Sequence, residues 1–175
     1  MITKTQYFFR YLFKPFCMAV FLVLADQITK YLIRYSFSPG NVKPVWPFLQ
    51  ITYATNTGIA FSMFQGANVF FTIFTSVVLL GFIIWYTVNA PGLHGFIKAA
   101  AILVISGAAG NLIDRIALGH VTDFLDVFYG SYHWPAFNVA DSCISAGGFF
   151  LFIWLLLSAK ENRTIKKDAN VSDTD

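Results

Sequence analysis

Gly107-Ala-Ala-Gly110-Asn111-Leu-Ile-Asp114-Arg115, then Val121-Thr-Asp123-Phe124, then Phe137-Asn138-Val-Ala140-Asp141-Ser142 set polar residues among long apolar runs, and the architecture follows from them. Four aspartates (114, 123, 126 and 141) and an arginine stand here between two segments apolar enough to cross a bilayer. An ionised side chain near a bilayer's centre costs roughly 2.5–3.5 kcal/mol on insertion scales. Carboxylates at this address therefore mark a bundle interior or a membrane boundary, and point to function.

Working outward, the apolar run of 141–159 lies on one side and that of 96–115 on the other. Before them come 67–88, which contains no charged residue, and 15–34, interrupted by Asp26 and Lys30 and ending on Arg34. The chain is 57% hydrophobic and 12% charged, against about 25% charged in soluble domains. These features predict an all-α membrane protein of four transmembrane helices, one integral domain over 1–175, with 160–175 a flexible cytoplasmic tail. The basic start before the first run lacks a small-x-small cleavage site, so the run is expected to be retained.

The polar connection 35–66 carries a small extracytoplasmic β element, about 40–62. Leu49-Gln-Ile51-Thr-Tyr53 alternates apolar and polar residues as a half-buried strand does. Asn56-Thr-Gly58 reads as a turn, and Trp46 and Phe48 suit the headgroup boundary. Between the third and fourth spans an outer-face loop is expected. Lys4, Arg10, Lys14, Lys98, Lys160, Arg163, Lys166 and Lys167 fall on one side, and Arg34, Lys43 and Arg115 on the other. That asymmetry predicts both termini in the cytoplasm and the aspartates near the outer leaflet.

Cys17 and Cys143 both lie in apolar runs and are expected as buried free thiols. The isolated His94, His120 and His133 build no metal-ligand pattern. No metal, cofactor or nucleic-acid partner is expected.

Asp26 and Lys30 are one helical turn apart and should pair inside the bundle. Asn111, Asp114 and Arg115 share one face of the third helix, and Asp114 could satisfy Arg115 or a neighbouring helix. Asp141 alone reads as an N-cap, and Asp123 alone as a loop residue. Together, two carboxylates at a dry membrane edge cannot both ionise cheaply, so one keeps a proton. Such a pair can activate water and protonate a leaving amine. A helix N-terminus beside Asp141 would favour its charged form, leaving Asp123 to hold the proton. Asn111, Arg115 and Asn138 are candidates to bind substrate carbonyls.

These residues resemble lipoprotein signal peptidase (signal peptidase II), the membrane aspartic proteases that remove signal peptides from bacterial prolipoproteins. The resemblance rests on Asp26-x-x-x-Lys30, Asn56-x-Gly58-x-Ala60-Phe61, Gly107-x-x-x-Asn111-x-x-Asp114-Arg115, Val121-x-Asp123-Phe124 and Phe137-Asn138-x-Ala140-Asp141. It implies that Asp123 and Asp141 are catalytic. Asn56, Gly58, Asn111, Arg115 and Asn138 would line the substrate site, with Asp26, Lys30 and Asp114 as structural support. It further implies cleavage before a diacylglyceryl-modified cysteine, a multi-pass monomer in the bacterial inner membrane, contact with membrane lipids, and sensitivity to globomycin-type inhibitors.

Two other classes compete. Gly119-x-x-x-Asp123-x-x-Asp126 approaches half of a CDP-alcohol phosphotransferase pattern, which would make the chain a metal-dependent lipid-headgroup transferase. Its spacing is one residue short and its other half is absent. A carboxylate pair could also relay protons in a small membrane transporter, but no internal repeat supports that reading.

Overall fold

The computed structural model describes residues 3–58 and 64–172, with residues 161–172 as backbone only. Helix α1 runs Lys4–Ser36, with a π-helical segment at Phe8–Phe13. Strands β1 (Val42–Trp46) and β2 (Leu49–Asn56) follow, then α2 (Asn68–Asn89) and α3 (Gly95–Leu118). Strands β3 (Val121–Tyr129) and β4 (Tyr132–His133) lead to α4 (Val139–Ser172). Among the described residues four helical segments are long and apolar enough to cross a membrane: Lys4–Ser36, Asn68–Gly92, Gly95–Leu118 and Val139–Lys160. The first has 33 residues, about 50 Å of helix against a hydrocarbon core of about 30 Å. Its basic, aromatic start therefore extends into the interface.

Burial is inverted relative to a water-soluble protein. Phe21, Val77 and Phe149 face outward, while the largest fully buried side chains are Lys30, Asn138, Thr122, Asp26, Asp114 and Ser106. Lipid solvates apolar surface as well as a core does, so polar contacts and close packing hold the helices together. Helix α3 is central and packs on each of the other three. Its small residues permit this: a Cβ on Gly107 would overlap the Ala140 carbonyl oxygen, and one on Gly110 would lie 2.6 Å from Asp26 Oδ2. Gly119, at φ +77°, ends the helix in the left-handed conformation that glycine adopts without strain.

The four strands form one antiparallel sheet in the order β1-β2-β3-β4. Ala54 pairs with Asp123, Thr55 with Thr122 and Asn56 with Val121, after an irregularity between Ile51 and Ala54. The expected β element is present, and the segment read as an outer-face loop adds two strands to it. β3 escaped notice because its first four residues are buried whichever way they point, which removes the alternation that marks a half-exposed strand.

One further expectation is corrected. Cys143 is buried but Cys17 is exposed on the lipid-facing surface. Residues 160–172 continue α4 as helix to Ser172. They contain neither Gly nor Pro, and extending an existing helix avoids the cost of nucleation. Of the two partners expected for Asp114, Arg115 or a neighbouring helix, it takes the second and reaches α1. Ala60 and Phe61 lie outside the described residues.

Candidate active site

The start of α4 builds the first half of the site. Asn138, not Asp141, is the cap: its Oδ1 accepts from the Asp141 N–H at 2.9 Å, and its own N–H donates to Asp141 Oδ2 at 3.2 Å. This is a reciprocal capping box, with an aspartate in the place commonly taken by glutamate or glutamine. Asp141 Oδ1 remains directed elsewhere and accepts from Asn111 Nδ2 at 2.8 Å.

β3 brings the second half. Asn138 Nδ2 donates to Asp123 Oδ1 at 2.7 Å, and Asn56 Nδ2 donates to Asp123 Oδ2 at 3.2 Å. Asn138 thus touches both carboxylates, that of Asp123 through its side-chain nitrogen and that of Asp141 through its backbone N–H. Both aspartates line a cavity of about 830 Å³. Asn56, Asn111 and Arg115 share its polar lining, while Phe74, Val78 and Ile144 are among its apolar residues. Burial and the nearby charge of Asp141 push the Asp123 carboxyl up to about 7, against opposing hydrogen bonds from Asn56 and Asn138 and the charge of Lys30.

A buried polar network stands behind the carboxylates. Lys30 Nζ lies 2.9 Å from Asp26 Oδ2 and 3.3 Å from Asp114 Oδ2, and donates to Asn111 Oδ1 at 2.9 Å. Asp26 Oδ1 accepts from the Ala140 N–H at 2.9 Å, joining α1 to the first turn of α4. On the cavity's other flank Asn56 Oδ1 accepts from the Gly58 N–H, and Arg115 Nη2 donates to the Gly58 carbonyl at 3.0 Å. The turn after β2 is thereby tied to both Asp123 and α3. Arg115 Nε is buried without a hydrogen-bond partner among the described residues.

The expected residues therefore converge, but not all in the expected capacity. Asn111 and Asn138 spend their amide groups on the carboxylates, on Lys30 and on the backbone of Thr122 and Asp141. Asp126 stands apart on the sheet, paired with His133 Nδ1 at 2.9 Å and accepting from Gln50 at 2.6 Å.

Sequence reasoning missed three members. Gln27 Nε2 reaches Asp26, the Gly110 carbonyl and Asp114, while Arg34 binds Thr122 and approaches Asp114. A signal for Arg34 existed, because Asp26, Lys30 and Arg34 recur every four residues on one helix face. Thr122 offered none.

Four membrane-length helices, three of which line a polar cavity that also holds two carboxylates, define a multi-pass membrane enzyme. A family model described as signal peptidase (SPase) II matches residues 18–157, so the chain belongs to the signal peptidase II family. It is 44% identical to the lipoprotein signal peptidase of Thermodesulfovibrio yellowstonii over 78% of this chain and 90% of that protein. Identity to the lipoprotein signal peptidase of Staphylococcus aureus is 37%, over 85% and 92% of the two chains. A solved bacterial membrane enzyme structure superposes with a TM-score of 0.78 at 34% identity, covering 86% of this chain and 92% of that one.

Proposed function

We propose that the chain is an aspartic endopeptidase that removes signal peptides from diacylglyceryl-modified prolipoproteins, cutting before the lipidated cysteine. The observation carrying this reading is that Asp123 and Asp141 line one cavity and are bridged by Asn138. Asp141, at a helix N-terminus and accepting from Asn111, acts as the base. It takes a proton from water as the water oxygen attacks the scissile carbonyl, and Asp123 gives its proton to the carbonyl oxygen. On collapse, the proton on Asp141 passes to the leaving amine and Asp123 recovers its own, so the pair ends as it began. Arg115 and the Asn56–Gly58 turn orient the peptide, while Asn111 and Asn138 hold the carboxylates. The lipid chains lie against Phe74, Val78 and Ile144, and globomycin-type inhibitors occupy the same cavity. One chain supplies every group in this scheme, which supports action as a monomer. No observation favours the transferase or the transporter.

The direct test is incubation of the purified protein with a diacylated prolipoprotein, which should release the signal peptide without added metal and with EDTA present. Because Asp123 must carry a proton and titrates at about 7, kcat should fall as pH rises through that value. A kcat that stays level or climbs to pH 9 would remove the assignment of the proton to Asp123.

We also propose that both termini are cytoplasmic and that the site lies near the outer leaflet of the inner membrane. Eight Lys and Arg residues on the terminal side against three opposite support this. The exposed aromatics Trp46, Phe48, Tyr129, Tyr132 and Trp134, on or beside the sheet, suit an outer interface. A reporter fused at Asn41 should read as external, and an internal signal would overturn the topology.

A further inference from the structure

We propose that Arg34 is a positioning residue for hydrolysis, acting through Thr122 to orient the strand that carries Asp123; this rests on the dyad reading above. Arg34 stands in the last turn of α1. Its Nη1 donates to Thr122 Oγ1 at 3.0 Å and lies 3.7 Å from Asp114 Oδ1. Thr122 is fully buried and immediately precedes Asp123. Its N–H donates to Asp114 Oδ2 at 2.9 Å, and its carbonyl accepts from Asn138 Nδ2 at 3.3 Å. The backbone groups of Thr122 are thus held from α3 and from the cap of α4, and its hydroxyl from α1.

Neighbouring side chains of a strand point to opposite faces. The contact that draws the Thr122 hydroxyl toward α1 therefore turns the Asp123 carboxylate toward the cavity. Asp114 already has Lys30 and Gln27, so the distinctive partner of Arg34 is the threonine. A residue outside the cavity thus controls the aim of a residue inside it. The ordinary alternative is an interfacial cation, since the Arg34 side chain is 23% exposed. That role would leave the chemical step untouched.

The test measures kcat and KM on a lipidated prolipopeptide for Arg34→Met, Thr122→Val and the double variant. Each single change should lower kcat roughly tenfold or more with KM little altered, because small misplacements of reacting groups are costly. The double variant should be no worse than the poorer single, and Arg34→Lys should recover part of the loss. Wild-type kcat in either single variant, additive losses, or a loss confined to KM would overturn the proposal. Where Arg34→Met does not fold, Thr122→Val, which keeps the branched shape, decides alone. An inactive Asp123→Asn beside a normal Arg34→Met discards only this inference; an active Asp123→Asn discards the dyad.

Discussion

Asp123→Asn and Asp141→Asn are each expected to lower turnover of a lipidated prolipoprotein by roughly a hundred- to ten-thousandfold, the usual contribution of a positioned acid or base. Asparagine keeps the shape of the side chain but can neither exchange the catalytic proton nor accept through both atoms. Asp123 accepts from Asn138 and Asn56 through different oxygens, and Asp141 accepts from Asn111 and the Asn138 backbone in the same way. Each substitution therefore breaks one hydrogen bond besides removing the carboxylate. Helix insertion should survive, because that depends on the apolar runs and on the network behind the carboxylates. The double variant should lose little more than either single one, since residues acting as a unit are not additive. Near-normal turnover in either single variant would end the dyad mechanism.

Lys30→Met should produce the largest loss of stability. Lys30 is fully buried and stands between Asp26 and Asp114, themselves almost fully buried. Removing one member of such a group leaves uncompensated charge, at a typical cost of about 3–5 kcal/mol. Methionine replaces the stem but not the donors. Asn111 would lose its 2.9 Å contact with the ammonium, and through it the restraint on Asp141. The expected result is a clearly lowered unfolding midpoint in detergent together with weakened turnover. Adding Asp26→Asn should recover part of the midpoint by removing one stranded carboxylate. An unchanged midpoint for Lys30→Met would show that the network does not hold the bundle together.

Much of this architecture is legible in the sequence because the bilayer is a demanding solvent. Four apolar runs with so few interruptions have few other destinations, and the interrupting charges must find each other. Asp26 with Lys30, and Asp123 with Asp141, follow from that constraint and from the motif blocks. What stayed hidden depends on details that lipid does not enforce. Cys17 lies on an outer face because lipid accepts an apolar residue as readily as a core does. The cap of α4 passed to Asn138 because both Asn138 and Asp141 are good capping types, and only the reciprocal hydrogen bonds distinguish them. Thr122 carries no sequence signal because its value lies in which three helices meet around it.

Asn138 and Asp141 come from the beginning of the last membrane segment, while Asp123 precedes it in β3. During synthesis the ribosome completes three helices and the whole sheet before the second carboxylate has a settled address. A chain halted before Val139 would possess the cavity's other walls and one acid, without its partner. On the proposed dyad mechanism, proteolytic competence arrives only with the final insertion event, and an unfinished polypeptide would be harmless to its neighbours in the membrane.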